Sequence, residues 1–338
     1  MSMNQHNSSA DDLLTPESIR ETIFGFQSSR ILLTAYELGI FTVLGDGNKS
    51  SQKVAERLQT DARATDRLMN ALTALGLLRK SGDNFSNTPL ASQCLVKGRP
   101  EYLAGLMHAV NLWDRWSTLT EAVRRGAGVS PYHESERGED WVVSFIAAMH
   151  ERAIKQAPAA VTLLDLSGVS RVLDVGGGSG AFSMAFVHAK DSIKATVFDL
   201  PDVVPLTRNY IEQAGLTNKV DTSAGDYLTD DLGSGYDLVF LSAIVHSNSP
   251  DENRKLLRKC ARALRSGGQV VVQDFIMNED RTSPAHGALF ALNMLVATEA
   301  GDTFTETEVQ SWLEEAGFAD ILRKDTPFGV SQMIGRKK

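Results

Sequence analysis

The stretch Val172-Leu173-Asp174-Val175-Gly176-Gly177-Gly178-Ser179-Gly180 constrains the fold of this chain more than any other. A short apolar strand runs into a glycine turn, and Ala181-Phe182-Ser183-Met184-Ala185-Phe186 continues as a helix. Glycine removes the Cβ, so the backbone can turn tightly and lie against a ligand. The start of the following helix leaves its first N–H groups without intrahelical partners. Strand, glycine turn and helix start together predict a nucleotide-type site at the carboxyl end of a parallel strand.

The sequence Gly176-x-Gly178-x-x-Ala181 satisfies the dinucleotide fingerprint, which keeps a nicotinamide-dependent oxidoreductase open. Asp174 points elsewhere. A carboxylate two residues before the first glycine repels a pyrophosphate, whereas S-adenosylmethionine offers it a sulfonium and an ammonium. A glycine turn with no ligand is the third reading. Asp199 follows about 20 residues after the turn, the place of a carboxylate that grips a ribose diol; it could also cap the helix before Pro201. Gly225-Asp226-Tyr227 ends the third strand. There a carboxylate can accept the adenine amino group and a tyrosine can cover the ring, or the three residues form a plain turn.

From residue 171 onward strands and helices alternate. Further strands are expected at 194–198, 220–224, 236–245 and 269–275, with helices at 201–214, from the Ser249-Pro250-Asp251-Glu252 capping box to 265, and at 285–298. This is an open doubly wound α/β sheet. Two closing strands at 321–323 and 330–334, around Pro327-Phe328-Gly329, imply a reversed final strand, typical of methyltransferases rather than dehydrogenases. His246 ends the fourth strand and Asp274 the fifth. Adenosylmethionine is already an activated methyl donor, so such an enzyme needs alignment and a base. A histidine with a pKa near ~6.5 suits the removal of a hydroxyl proton, and Asp274 could orient it. Packing alone would also account for His246.

The N-terminal region reads differently. Thr15-Pro16 starts a helix whose apolar positions Ile19, Ile23, Phe24, Ile31, Leu32, Tyr36 and Leu38 run up to Gly39, and residues 40–44 extend that surface. Helices at 51–58 and 66–78, then a turn at Ser81-Gly82-Asp83-Asn84, follow the rhythm of a winged helix. Duplex DNA binding demands basic density, and 34 Lys+Arg stand against 42 Asp+Glu for a net charge of −8. A dimerising role fits better, and neither nucleic acid nor a membrane is an expected partner. Residues 100–165 read as entirely helical, and their large side chains, Trp113, Phe145 and Met149 among them, serve either core or pocket. The expected division is 1–100 for the winged helix, 101–165 for a helical linker contributing to the pocket, and 166–338 for the catalytic domain. The N-terminus lacks a signal-like apolar stretch, and no run of about 18 apolar residues appears. Cys94 and Cys260 form no disulfide framework, and the histidines no metal spacing. A soluble cytoplasmic enzyme without metal is the expectation.

These residues together resemble the plant caffeate-type O-methyltransferase family and its bacterial relatives in natural-product and pigment pathways, over roughly residues 15–335. The markers are the glycine motif, Phe198-Asp199-Leu200-Pro201, Gly225-Asp226, His246, Gly267-Gly268, Phe145-x-x-Ala148-Met149 and Leu112-Trp113-x-x-Trp116. The resemblance implies a class I methyltransferase: a doubly wound, Rossmann-like sheet with an N-terminal α-helical winged-helix dimerisation domain. It implies a homodimer that uses S-adenosylmethionine to methylate a hydroxyl of a small, aromatic metabolite. His246 would be the general base, with Asp274 beside it. Asp174, Gly176, Gly178, Gly180, Asp199, Leu200, Gly225, Asp226, Tyr227 and Ser242 would hold the cofactor. Trp113, Phe145, Met149, Asn293 and Met294 would line the acceptor pocket. Three positions depart from the family pattern. His246 is followed by Ser247-Asn248 instead of Asp-Trp, the lysine four residues before the base is Ser242, and the flanking acid is replaced around Thr303, with Glu299 nearby. Relatives of this family also exist that hold the cofactor without transferring its methyl group.

Overall fold

A computed structural model describes residues 15–129 and 138–338. The chain divides into two compact units, one up to Val110 and one from Asn111.

In the first unit, α1 (Pro16–Leu38) starts as expected. Thr15 and Ser18 form a reciprocal capping box, and Gly39 ends the helix in the left-handed conformation. Next come α2 (Ile40–Leu44), β1 (Lys49–Ser50), α3 (Ser51–Leu58), α4 (Ala62–Ala74), β2 (Leu78–Ser81), β3 (Asn84–Asn87) and α5 (Pro89–Cys94). The sequence places the longer helix at 66–78. It starts four residues earlier, because the Asp61 side chain caps it, and stops before Gly76, after which Leu78 joins a strand. The three strands form an antiparallel sheet in the order β1-β3-β2. Ile40, Phe41, Leu44, Val54, Met69, Leu72 and Phe85 form the core beneath them. The first half of α1 contributes nothing to that core: Ile19, Ile23, Phe24 and Phe26 are each more than half exposed.

Helix α6 (Leu106–Ser117) contains the division between the units. The second unit continues with α7 (Leu119–Arg125) and the 24-residue α8 (Glu139–Thr162). The expected unbroken helical stretch is therefore interrupted: Gly126 ends α7 in a left-handed cap, and residues 130–137 lie outside the described set. The sheet follows with β4 (Arg171–Val175), α9 (Ala181–Ala189), β5 (Lys194–Asp199), α10 (Val204–Gln213), β6 (Val220–Ala224) and β7 (Tyr236–Ser242). It is completed by α11 (Pro250–Ala263), β8 (Leu264–Asp274), α12 (Ala285–Ala297), α13 (Glu306–Glu315), β9 (Phe318–Asp325) and β10 (Ser331–Lys337).

Seven strands lie in the order β6-β5-β4-β7-β8-β10-β9. The first five run parallel, and β10 runs antiparallel to both of its neighbours. The reversed closing strand expected from the sequence is thus present, inserted between β8 and β9. Both faces are covered, as a sheet joined by helical crossovers requires. One core gathers Val239, Leu241, Leu256, Leu257, Val272 and Trp312, the other Val172, Phe186, Val197, Leu238, Phe240 and Val271. Strand order reverses at β4, so the crevice beyond the carboxyl ends of β4 and its neighbours is where ligands bind in such sheets.

Candidate active site

At the glycine turn, the Gly176 N–H donates to the Phe198 carbonyl at 2.7 Å. Gly176 has a φ of 64°, and a Cβ there would lie 2.2 Å from Ile244 Cδ1, so backbone and space both call for glycine. Gly178 N–H donates to Asp199 Oδ2 at 2.7 Å, and Leu200 N–H to Asp199 Oδ1 at 2.8 Å. A carboxylate oxygen can accept more than one hydrogen bond, so local capping and a diol contact are compatible. Gly180, left-handed, opens α9. The turn is fastened from outside as well: Thr207 Oγ1 donates to the Gly178 carbonyl at 2.6 Å, and His150 Nδ1 lies 2.9 Å from Ser179 Oγ.

Asp174 is 1% exposed. Its Oδ2 accepts from Ser183 Oγ at 2.8 Å, while Oδ1 is buried with no hydrogen-bond partner. Burial pushes its pKa up to about 7; Ser183 opposes the shift and the charge of Asp199 adds to it. A buried acceptor without a donor is costly, and a cation, directly or through a water, would satisfy it. S-adenosylmethionine fits this observation, since it carries two positive centres. Asp174 lies beneath the turn, not open beside it: its Cγ is 2.7 Å from where a Gly177 Cβ would stand.

At the end of β6, Gly225 is packed so closely that a Cβ would meet Phe198 Cζ at 2.5 Å. Asp226 Oδ1 accepts from Leu228 N–H at 2.8 Å, so a local turn is present. The Tyr227 hydroxyl donates to Asn248 Oδ1 at 3.1 Å, and its ring edge comes within 3.9 Å of the Gly176 Cβ position. Tyr227 therefore reaches over the glycine turn. Ser242 Oγ accepts from Gln273 Nε2 at 3.0 Å, in an amide chain that continues from Gln273 Oε1 to Gln332 Nε2 at 2.9 Å.

His246 does not end a strand. Strand β7 stops at Ser242, Ala243 takes a positive φ of 59°, and His246 sits in a single 3-10 turn at Val245–Ser247. The turn carries it back to Asp274, the last residue of β8, which starts five residues before the expected position. His246 Nδ1 lies 2.7 Å from Asp274 Oδ1, and the His246 backbone N–H reaches Asp274 Oδ2 at 3.3 Å. Phe275 N–H also donates to Oδ1, at 2.8 Å. An ionised carboxylate only accepts, so Nδ1 carries the proton and Nε2 is left as the acceptor. Behind the histidine, Asp302 N–H donates to the His246 carbonyl at 3.0 Å. A Cβ on Gly301 would meet that carbonyl at 2.4 Å. Thr303 is buried, and Glu299 is exposed.

The aromatic neighbours of this pair carry no signal in the sequence. Phe290 on α12 stands edge-on to the His246 ring at 4.8 Å, and Phe275 packs against Phe290 at 4.7 Å. Asn293 and Met294 lie one turn beyond Phe290 on the same helix, so α12 brings them to the same side as the histidine. Asn293 Oδ1 accepts from Trp116 Nε1 at 3.0 Å, and Met294 is buried. Trp113 is half-buried on α6, one turn before Trp116. Phe145 stacks on Trp141 at 5.0 Å, and Met149 follows one turn later on α8, half-buried. The structure links Asn293 and Met294 to His246 through Phe290; Phe145 and Met149 lie on a different helix, α8, where Phe145 packs with Val142, Ile146 and Val203. No group of three or more potential metal ligands occurs among the described residues.

A switch-point glycine turn, an acid at the end of β5 and a reversed strand beside β8 define an S-adenosylmethionine-dependent class I methyltransferase. Residues 116–319 match the O-methyltransferase domain, and residues 20–97 the O-methyltransferase dimerisation domain. The 3-hydroxy-5-methyl-1-naphthoate 3-O-methyltransferase of Streptomyces sahachiroi is 35% identical over 316 residues, 90% of each chain. The tetracenomycin polyketide synthesis 8-O-methyl transferase TcmO of Streptomyces glaucescens is 30% identical over 335 residues, 95% of this chain and 97% of that one. The solved structure of PigF with SAH superposes with a TM-score of 0.86 at 27% identity, covering 96% of this chain and all of that one. The chain belongs to the S-adenosylmethionine-dependent O-methyltransferase family, a finding that replaces the nicotinamide-dependent alternative.

Proposed function

We propose that this enzyme methylates a hydroxyl group on a small aromatic acceptor, with His246 as general base. The observation that carries the reading is the 2.7 Å contact between His246 Nδ1 and Asp274, which leaves Nε2 to take the hydroxyl proton. S-adenosylmethionine supplies an activated methyl group on a sulfonium. Asp199 would accept the ribose hydroxyls, with Leu200 beside it. Gly176, Gly178 and Gly180 would let the backbone approach, Gly225, Asp226 and Tyr227 would contact the adenine, and Ser242 would border the methionine end. Asp174 would balance the positive charge from below the turn. Asp274 holds the imidazole in one tautomer and stabilises the imidazolium once the proton has moved. Phe290 edges the base, and Trp113, Phe145, Met149, Asn293 and Met294 would wall the acceptor. The S. sahachiroi relative acts on a hydroxynaphthoate by its name, which supports a fused aromatic acceptor.

The protein would act as a homodimer. The first unit would be a winged helix used for dimerisation, with the exposed apolar side chains of α1 as the natural contact. Among the described residues no helix is long and apolar enough to cross a membrane, and a cytoplasmic location fits that. The test is transfer of labelled methyl from S-adenosylmethionine to a panel of naphthols, catechols and hydroxyquinones. Label on an acceptor oxygen is expected. S-adenosylhomocysteine binding without transfer to any hydroxyl would instead mark a protein that holds the cofactor and does other work.

A further inference from the structure

Helix α8 carries an arginine that the reaction so far leaves unused. Arg152 lies one turn beyond Met149 and two beyond Phe145, on the same stripe of the helix. Its guanidinium stands 5.6 Å from the centroid of the Phe275 ring. Phe275 follows Asp274 directly and packs on Phe290, whose own ring meets His246. Two rings, Phe275 and Phe290, thus separate Arg152 from the base.

Among the described residues Arg152 makes no ion pair and donates no hydrogen bond. Asp274, the carboxylate whose charge bears on it, is already used by others: its two oxygens accept from the His246 ring, the His246 N–H and the Phe275 N–H. Its charge nevertheless acts on Arg152, and desolvation by the surrounding protein lowers the arginine's pKa against it. A guanidinium held over an aromatic face presents its N–H fork in a plane, the arrangement that receives a carboxylate on two parallel hydrogen bonds. Arg152 is exposed, so its stem covers the buried Phe275 ring while the guanidinium stays open to a solute entering from solvent. Lysine or histidine could not offer the same fork.

We propose that Arg152 binds a carboxylate on the acceptor, so that the preferred substrates are hydroxylated aromatic acids in their anionic form. The inference rests on the methyl-transfer reading for the identity of the pocket, and it adds the charge of what enters. The carboxylate would seat on the fork while the aromatic body lies along the half-buried Phe290, directing a hydroxyl at the far end of the ring system toward His246 Nε2. A neutral acceptor would bind through the rings alone.

The experiment measures binding to the enzyme saturated with S-adenosylhomocysteine, by calorimetry, with 3-hydroxy-1-naphthoate and its methyl ester as probes. The acid should bind about 10–100-fold more tightly than the ester, the scale of a hydrogen bond to a charged group. Arg152→Gln should bring acid and ester to the same affinity, and Arg152→Lys should keep part of the preference. Added salt should weaken the acid and spare the ester. An unchanged S-adenosylhomocysteine affinity in each variant shows that it is folded. Equal binding of acid and ester by the native enzyme, a preference that survives Arg152→Gln, or failure of both probes to bind would each overturn the proposal. Methyl transfer is read separately with S-adenosylmethionine. An acid that binds through Arg152 yet is never methylated would keep the arginine's role and remove the transfer reading.

Discussion

Replacing Asp274 with asparagine isolates the orientation of the base from the base itself. The carboxylate accepts three hydrogen bonds, from His246 Nδ1, His246 N–H and Phe275 N–H. An amide of the same shape has one accepting atom. If the amide oxygen takes the Oδ1 place, its NH2 group faces the His246 backbone N–H, donor against donor. If it is turned over, the NH2 group faces Nδ1, which must then accept; the proton moves to Nε2 and the base is blocked. Either way the imidazolium formed during transfer loses its carboxylate. A hydrogen bond to a charged group is worth about 1.5–3 kcal/mol. At about 1.4 kcal/mol per tenfold, turnover should fall by roughly 10–150-fold. The assay is kcat for a neutral hydroxyl acceptor at saturating cofactor, with S-adenosylhomocysteine affinity measured in parallel and expected to stay the same. Turnover within twofold of the native rate would refute the argument that Asp274 sets the tautomer.

Other consequences follow from the same geometry. Asp174 has a folded-state pKa raised to about 7 from 3.8, so its proton stabilises the native state below about pH 4 and that contribution is lost as pH rises through 7. The cofactor-free protein should therefore lose about 1 kcal/mol between pH 6 and 8 in denaturant titrations, and Asp174→Asn should flatten the profile. Because a cation favours the ionised carboxyl, S-adenosylmethionine should bind several-fold more tightly at pH 7.5 than at pH 6 with proton release; a flat affinity would count against Asp174. Gly301→Ala should lower kcat about tenfold or more while S-adenosylhomocysteine binding persists, since its Cβ would meet the His246 carbonyl at 2.4 Å and the base must shift. Light scattering should give twice the 36.8 kDa chain mass, and Ile23→Glu, at a position 58% exposed on α1, should shift the protein toward monomer; an active native monomer would contradict the dimer.

The sheet was largely legible because its signals are local. The Ser249–Glu252 capping box, the glycine turn and the runs at β5 and β6 each declare themselves within a few residues, and the reversed strand follows from the Pro327–Gly329 turn. Boundaries that depend on tertiary contacts were not legible. Strand β8 begins at Leu264 because Leu264 pairs with Tyr236, and nothing in Arg265-Ser266-Gly267-Gly268 suggests a strand. The chemistry-bearing positions divide in the same way. His246 and Asp274 could be named from the strand ends expected there, but His246 lies beyond its strand, and the 3-10 turn that joins it to Asp274 follows the positive φ of Ala243, an unusual conformation for alanine. That Asp174 would be sealed beneath the turn, with Ser183 as partner, had a faint signal in a serine placed within an apolar helix. Phe275, Phe290 and Arg152 come from a strand end and two helices far apart in the chain, so their convergence had no signal in the sequence.

The most direct test of the central claim compares His246→Gln with the native enzyme on two acceptors, a phenol neutral at the assay pH and an analogue acidic enough to be ionised there. General-base assistance contributes about 10²–10⁴-fold. The variant should lose turnover on that scale with the neutral phenol, lose far less with the ionised one, and still bind S-adenosylhomocysteine. Methylation of the neutral phenol by His246→Gln at the native rate would make the histidine structural and leave the reaction to proximity alone.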